Sequence, residues 1–398
     1  MPFDPQAATT AYVDALGAGA LAKAAAYTAG NHWLLLWGLA VSAVGTWAIV
    51  RWGILDRLAS RLGRRGPNLR AFLISVVYFV LASLITLPWE IYANWWRERS
   101  YGRTSQPLLD FLGQQAIALV VFSLLVGLFF VGVYALMRKA GPRWWVWSGG
   151  LTAVALAFFL LVAPAVIEPL FNEYRPVPPG PVRDALVVMA EESGVPTDRI
   201  FVYDGSRQSN NFTANVSGVA GSARIAISDV AFKGASLDEV RAVTGHEIGH
   251  YVLHHVWRSV IVLSLLAILF FFLADRLYPR FARAFGSSAQ LVDPAGLPVV
   301  VFMISVMSLL AQPAVNTLSR MDESEADHYS LETVNLPDAL ATALLKTAEY
   351  RNPRPNPVQE FVFYTHPSVE RRVRAAMEWK AEHAGTAASG PQGTADAS

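Results

Sequence analysis

The chain contains no cysteine among its 398 residues. Disulfides, thiolate metal ligands and cysteine nucleophiles are therefore excluded, and any metal must be held by His, Asp or Glu. Charge is scarce as well. Asp, Glu, Lys and Arg together make up 16% of the chain, against roughly 25% in an average soluble domain. Neither sign prevails: 32 basic residues stand against 31 acidic ones, a net charge of +1. No overall basic field is available to hold nucleic acid, so a nucleic-acid partner is not expected.

Hydrophobic residues make up 53% of the chain, and the mean hydropathy is +0.34. A helix needs about 20 apolar residues to cross a bilayer. Uncharged apolar runs lie at 33–50, 71–89, 111–137 and 144–167 in the first half, and at 259–274 and 295–319 in the second. The fifth is short, but Trp257 and Tyr278 flank it as interface anchors. The lipid bilayer is thus an expected partner. Residues 1–32 carry Asp4 and Asp14 ahead of Lys23, which is not the pattern of a cleavable signal. The Ala/Gly-rich stretch at 15–30 reads as a loose or surface-lying helix.

Between the fourth and fifth runs the composition becomes that of a folded α/β domain. Residues 181–193 have helical spacing, with Pro181 in the first turn and Gly194 past the end. Residues 200–203, 212–217 and 223–228 read as strands, the last two joined through Gly218 and Gly221 as a hairpin. The expected organisation is an N-terminal segment (1–32), a four-span region (33–170), an α/β domain (171–256), a two-span hairpin (257–320), the C-terminal part of that domain (321–383) and a disordered Ala/Gly/Ser/Thr-rich tail (384–398). The fold class is mostly α: a polytopic helical membrane protein of about six transmembrane helices with a small α/β domain.

Ser236 and Glu239 have the spacing of a capping box that opens a helix. That helix carries His246-Glu247-Ile248-Gly249-His250. Imidazoles at i and i+4 lie one turn apart on one face, the separation at which both can ligate one small cation. Glu247 stands beside them, placed to hold water and take its proton. Catalysis by zinc needs a third protein ligand. A third His six residues after His250 is absent, because Val256 is there. His254 lies roughly on the ligand face, but with His255 it reads better as an interfacial helix end. Beyond the sixth run, Glu323 and Asp327 share a helix face at i and i+4, while Glu325 points away from it. They suit a ligand and a carboxylate that orients a ligating imidazole. Span five leaves the side that bears His246 and His250, and span six returns to it. Glu323 therefore emerges on the same side.

These residues resemble the M48 metalloproteases and, within them, the Ste24-type CAAX prenyl proteases. The likeness extends to His366-Pro367-Ser368-Val369-Glu370-Arg371-Arg372, and to Leu87-Pro88-Trp89-Glu90-Ile91-Tyr92 followed by Glu98 and Gly102. The resemblance implies a gluzincin-like zinc-metalloprotease domain with one Zn2+ per chain on His246, His250 and Glu323. It implies Glu247 as general base and Asp327 as an orienting or proton-donating carboxylate. His366 and Arg372 would stabilise an anionic intermediate or hold the carboxy end of the substrate. Asn210, Asn211, Phe212, Thr213 and Ala214 fall where the family has an edge strand for an extended substrate, although the wording of the motif differs. The family usually has seven spans; six are counted here, the first being absent. The implied substrate is a peptide or protein, prenylated or otherwise membrane-associated, cut near its C-terminus. An HtpX-like membrane quality-control protease and a non-catalytic scaffold with a vestigial zinc site are the alternatives. A transporter finds no support, because no charge lies in the middle of a span.

Gln114, Gln115, Gln312 and Asn316 are polar positions within spans, suited either to lining a chamber or to linking helices. The membrane side of the site is left open by two opposed arguments. Arg51, Arg57, Arg61, Arg64, Arg65 and Arg70, with further Arg and Lys near 140 and 280, mark the loops opposite the site as cytoplasmic. The resemblance places the site itself in the cytoplasm. The Arg/Ala/Gly-rich composition suggests a bacterial protein, and hence a bacterial cytoplasmic membrane.

Overall fold

The computed structural model describes residues 3–218, 222–347 and 350–383. The far end of the hairpin, including Gly221, and the tail at 384–398 lie outside the described residues.

Among the described residues, six helices are long and apolar enough to cross a membrane. The first, α2 (Gly17–Trp52), follows a short helix α1 (Pro5–Asp14). The Ala/Gly-rich stretch is therefore not a separate surface helix. It is the N-terminal extension of the first span, because Ala has the highest helix propensity and nothing between 17 and 52 breaks the helix. Gly53, at φ 58°, ends it and admits α3 (Ile54–Arg61), which buries Leu55 and Ala59. The second span, α4 (Pro67–Glu90), starts on Pro67 and contains Pro88. A widened π turn at Ile91–Trp96 follows before α5 (Arg97–Ser100). Spans three and four are α6 (Leu108–Lys139) and α7 (Trp144–Val162). Ile74, Tyr78, Phe130, Val133 and Tyr134 fill the space between α4 and α6.

The water-facing part contains a four-stranded sheet in the order β1 (Tyr174–Pro176), β2 (Ile200–Tyr203), β4 (Arg224–Ser228), β3 (Ala214–Ser217). β2 and β4 are parallel; the other two pairings are antiparallel. β3 is shorter than the expected 212–217. At Thr213 the backbone N–H donates to the Ser228 side chain at 3.3 Å instead of a strand carbonyl, so the ladder starts one residue later. α8 (Pro181–Ser193) packs Leu186 and Ala190 against Ile225 and Ile227. After the single turn α9 (Ala231–Gly234), α10 (Leu237–Val252) crosses the sheet and leads into span five, α11 (His255–Phe285).

Span six, α12 (Leu297–Thr333), has 37 residues, about 55 Å at 1.5 Å per residue. It runs from the membrane region into the water-facing domain. Half of its most apolar window is buried, against 11% for the fourth span, so α12 is the central post of the molecule. Asn316 is buried on it and donates to the Val362 carbonyl at 2.7 Å, which makes it a link between helices. α13 (Pro337–Lys346), α14 (Pro357–Phe363) and α15 (Val369–His383) complete the domain. α1 packs on α13 and α15, with Tyr12 donating to Asp338 at 2.9 Å.

Candidate metal centre

α10 opens with both bonds of the capping box. The Glu239 N–H donates to Ser236 Oγ at 3.2 Å, and the Ser236 N–H donates to Glu239 Oε2 at 2.7 Å. Gly245 and Gly249 then let α12 come close. A Cβ on Gly249 would sit 3.1 Å from Ala326 Cα, and one on Gly245 would sit 2.6 Å from a Val334 methyl carbon. The helices thus meet on the glycine stripe, and the neighbouring residues His246 and His250 face Glu323.

The Nε2 atoms of His246 and His250 are 3.2 Å apart. Glu323 Oε2 lies 3.3 Å from His246 Nε2, and Glu323 Oε1 lies 3.5 Å from His250 Nε2. All three donor groups fall within 4.8 Å of one another. Glu323 Oε2 is buried and has no hydrogen-bond partner among the described residues. A buried oxygen left unpaired is costly, and two imidazole nitrogens aimed at the same point offer converging lone pairs. Two imidazole nitrogens and one carboxylate oxygen form a ligand set that suits zinc, so these residues fit the metal.

The other ring nitrogen of His246 lies 2.9 Å from Asp327 Oδ1. Arg372 grips Asp327 from Nε and Nη2, both at 2.7 Å. His246, Asp327 and Arg372 are all less than one-tenth exposed. Arg372 therefore spends its fork on Asp327, with its nearest approach to Glu323 at 3.5 Å. His366 reaches the centre from another direction, its Nε2 3.2 Å from Glu323 Oε1 and its Nδ1 2.8 Å from Thr365 Oγ1.

Burial pulls the His246 pKa down, but Asp327 and Glu323 outweigh it and lift it to about 10. Burial and the charge of Arg351 push His366 down to about 3. Burial raises Glu247, although the neighbouring imidazoles oppose this. A carboxylate raised in this way is a stronger base, as proton transfer at neutral pH requires.

Phe212, Thr213 and Ala214 line one cleft together with His246, Glu247, Glu323, His366 and Arg372. Asn210 and Asn211 are not in its lining. Asn210 instead ties the chain to the loop after α5, its N–H donating to the Arg103 carbonyl at 2.9 Å and its side chain to the Gly102 carbonyl at 2.9 Å. Leu340, Leu344, Tyr350 and Arg351 also line the cleft. No motif marks them: Leu340 and Leu344 lie on α13, which reads as an ordinary amphipathic helix, and Tyr350 and Arg351 lie beyond its end. His255, expected as an interfacial helix end, and Glu325, expected to point away from the ligand face, instead meet behind His250. The His255 ring lies 2.8 Å from His250 and 3.0 Å from Glu325. Their one signal is the break between α10 and α11, which no Gly or Pro announces. His255, Asp322 and Glu325 form a second set of converging donors. Arg258 contacts both carboxylates there, so a protein cation already serves them.

Comparison with known proteins places the chain in a family. Residues 179–380 match the model of peptidase family M48, and residues 7–173 match that of the CAAX prenyl protease N-terminal region, described as five membrane helices. Among the described residues that stretch holds four candidate spans. The chain is 27% identical over 305 residues to an uncharacterized metalloprotease, YhfN, of Bacillus subtilis, covering 75% of this chain and 71% of that one. It is 26% identical over 360 residues to CAAX prenyl protease 1 of Saccharomyces cerevisiae, covering 85% and 77%. The crystal structure of S. mikatae Ste24p superposes with a TM-score of 0.75 at 20% identity, covering 92% of this chain and 90% of that one.

Proposed function

The chain belongs to peptidase family M48 as a multi-pass membrane metalloprotease of the CAAX prenyl protease type, and from that premise we propose that it holds one zinc ion on His246, His250 and Glu323 and cuts peptide or protein substrates near their C-terminus at the membrane. The observation that carries the reading is the convergence of those three donor groups, within 4.8 Å of one another, beside Glu247.

Zinc bound there supplies a Lewis acid that polarises the scissile carbonyl and acidifies water. The remaining work belongs to the side chains. Glu247, made more basic by burial, takes a proton from the attacking water and gives it to the leaving amine. Asp327, locked by Arg372, accepts from His246 Nδ1 and so directs the Nε2 lone pair into the centre. His366 stays neutral and donates a hydrogen bond to the developing oxyanion. Arg372 acts on Asp327, and so on His246, in place of direct contact with the anionic intermediate.

The substrate lies as an added strand on β3. That strand ends the sheet, so its outer N–H and C=O groups are free of strand partners among the described residues. Backbone pairing of this kind gives affinity with little demand on side chains. The names of the curated relatives support a prenylated substrate for this chain; the extended binding mode rests on the edge strand alone.

The test is zinc analysis of the purified chain alongside cleavage of a quenched peptide ending in a free carboxyl group. One zinc per chain and cleavage in its C-terminal residues are expected, with both lost in His246→Ala. Cleavage that survives loss of the metal would overturn the reading.

A further inference from the structure

His255 stands five residues after His250. On one continuous α-helix that spacing turns the second side chain about 140° away from the first. Here the two rings nevertheless meet, with 2.8 Å between their Nδ1 atoms. The cause is the break between helices. α10 ends at Val252, and His254 adopts φ 60° and ψ 30°, a left-handed conformation uncommon for a residue with a Cβ. Only Asn335 shares a positive φ among the described non-glycine residues. α11 restarts at His255, and its side chain, 4% exposed, comes back beneath His250.

We propose that His255, anchored by Glu325, is a positioning residue that fixes the tautomer and orientation of His250 for metal binding; the proposal rests on the reading of His246, His250 and Glu323 as ligands. An ionised carboxylate can only accept hydrogen bonds. His255 Nε2, 3.0 Å from Glu325 Oε2, is therefore the protonated nitrogen. In a neutral ring that leaves Nδ1 as an acceptor, which takes the Nδ1–H of His250. His250 must then carry its lone pair on Nε2, the atom that faces Glu323 and His246. Arg258 holds Glu325 in place with bonds of 3.3 and 3.0 Å, and it is itself paired with Asp322. The two ligating rings are thus oriented by different means. His246 leans directly on a carboxylate, whereas His250 reaches one through a second imidazole.

The experiment titrates zinc into the full chain, purified in detergent and stripped with EDTA, in competition with a chromophoric chelator. Cobalt in place of zinc reports the ligand geometry through its visible spectrum. His255→Ala is expected to weaken zinc binding by about 10- to 100-fold, the usual loss when a partner outside the ligand set is removed, and to alter the cobalt spectrum. His255→Asn should restore most of that loss. Its amide can accept from His250 and donate to Glu325. His254→Asn, in a residue type that tolerates the left-handed region, should bind as the native chain does.

Native affinity in His255→Ala would overturn the proposal, as would equal weakening in the Ala and Asn variants. If His255→Ala does not fold, Glu325→Ala decides. It removes every acceptor for the His255 Nε2–H from a partly exposed position and should weaken binding, so native affinity there also overturns the proposal. A native chain that binds no metal is a different result, and it refutes the ligand assignment itself.

Discussion

Arg372 and Asp327 are joined by two parallel hydrogen bonds of 2.7 Å, buried between α15 and α12. The same carboxylate stands 2.9 Å from His246. The pair therefore transmits the packing of the last helix to a candidate ligand. Arg372→Ala leaves a buried carboxylate without its counter-charge, a change that costs about 3–5 kcal/mol. Arg372→Lys keeps the charge but loses the planar fork. Both variants should unfold at lower temperature, the Ala variant more so, and both should bind zinc more weakly than the native chain. Thermal unfolding in detergent, with and without added zinc, checks this; unchanged stability in Arg372→Ala would count against it.

Glu247 lines the cleft beside the three donor groups but is not among them. Its loss should separate metal binding from catalysis. Glu247→Ala is expected to retain zinc while losing at least about 100-fold in turnover, as for loss of a general base. Zinc content and peptide cleavage measured on the same sample check both halves. A variant that turns over at the native rate would remove Glu247 from the mechanism.

The His246 pKa gives metal binding a pH dependence of definite sign. Held at about 10 by Asp327 and Glu323 against burial, the stripped protein carries a proton on His246 at neutral pH. Zinc must expel that proton. Between pH 7 and 9 the affinity should therefore rise with pH by up to about tenfold per unit, levelling off above about 10. Calorimetric titration in buffers of differing ionisation enthalpy should show a proton released per zinc bound. An affinity independent of pH across that window would contradict the assignment.

Much of this was legible in the sequence, for physical reasons. The spans are long apolar runs, and lipid tolerates little else. The capping box and the paired imidazoles are local patterns on one helix, and parity of crossings returns Glu323 to the same side. Contacts that depend on a turn or on distant packing were not legible. His255 meets His250 only because His254 breaks the helix without Gly or Pro. α1 and α15 meet across almost the entire length of the chain, and an apolar face such as Val13 does not announce its partner. Strand β3 is shorter than the sequence predicts because a side-chain acceptor, Ser228 Oγ, takes the Thr213 N–H.

The absence of cysteine allows the crossing pattern to be tested directly. Gly66 and Gly234 each have open space where a Cβ would go. Three candidate spans separate positions 66 and 234. A membrane-impermeant maleimide should therefore reach Gly66→Cys from one face and Gly234→Cys only from the other. Labelling of both from one face would refute the odd number of crossings, and the labelled face identifies the side of the metal centre.

The most direct measurement is an anomalous difference map at the zinc absorption edge from crystals of the purified chain. One peak is expected, about 2.0–2.2 Å from the Nε2 atoms of His246 and His250 and from a carboxylate oxygen of Glu323. No peak at that point, or a peak at His255, Asp322 and Glu325 instead, would contradict the ligand assignment.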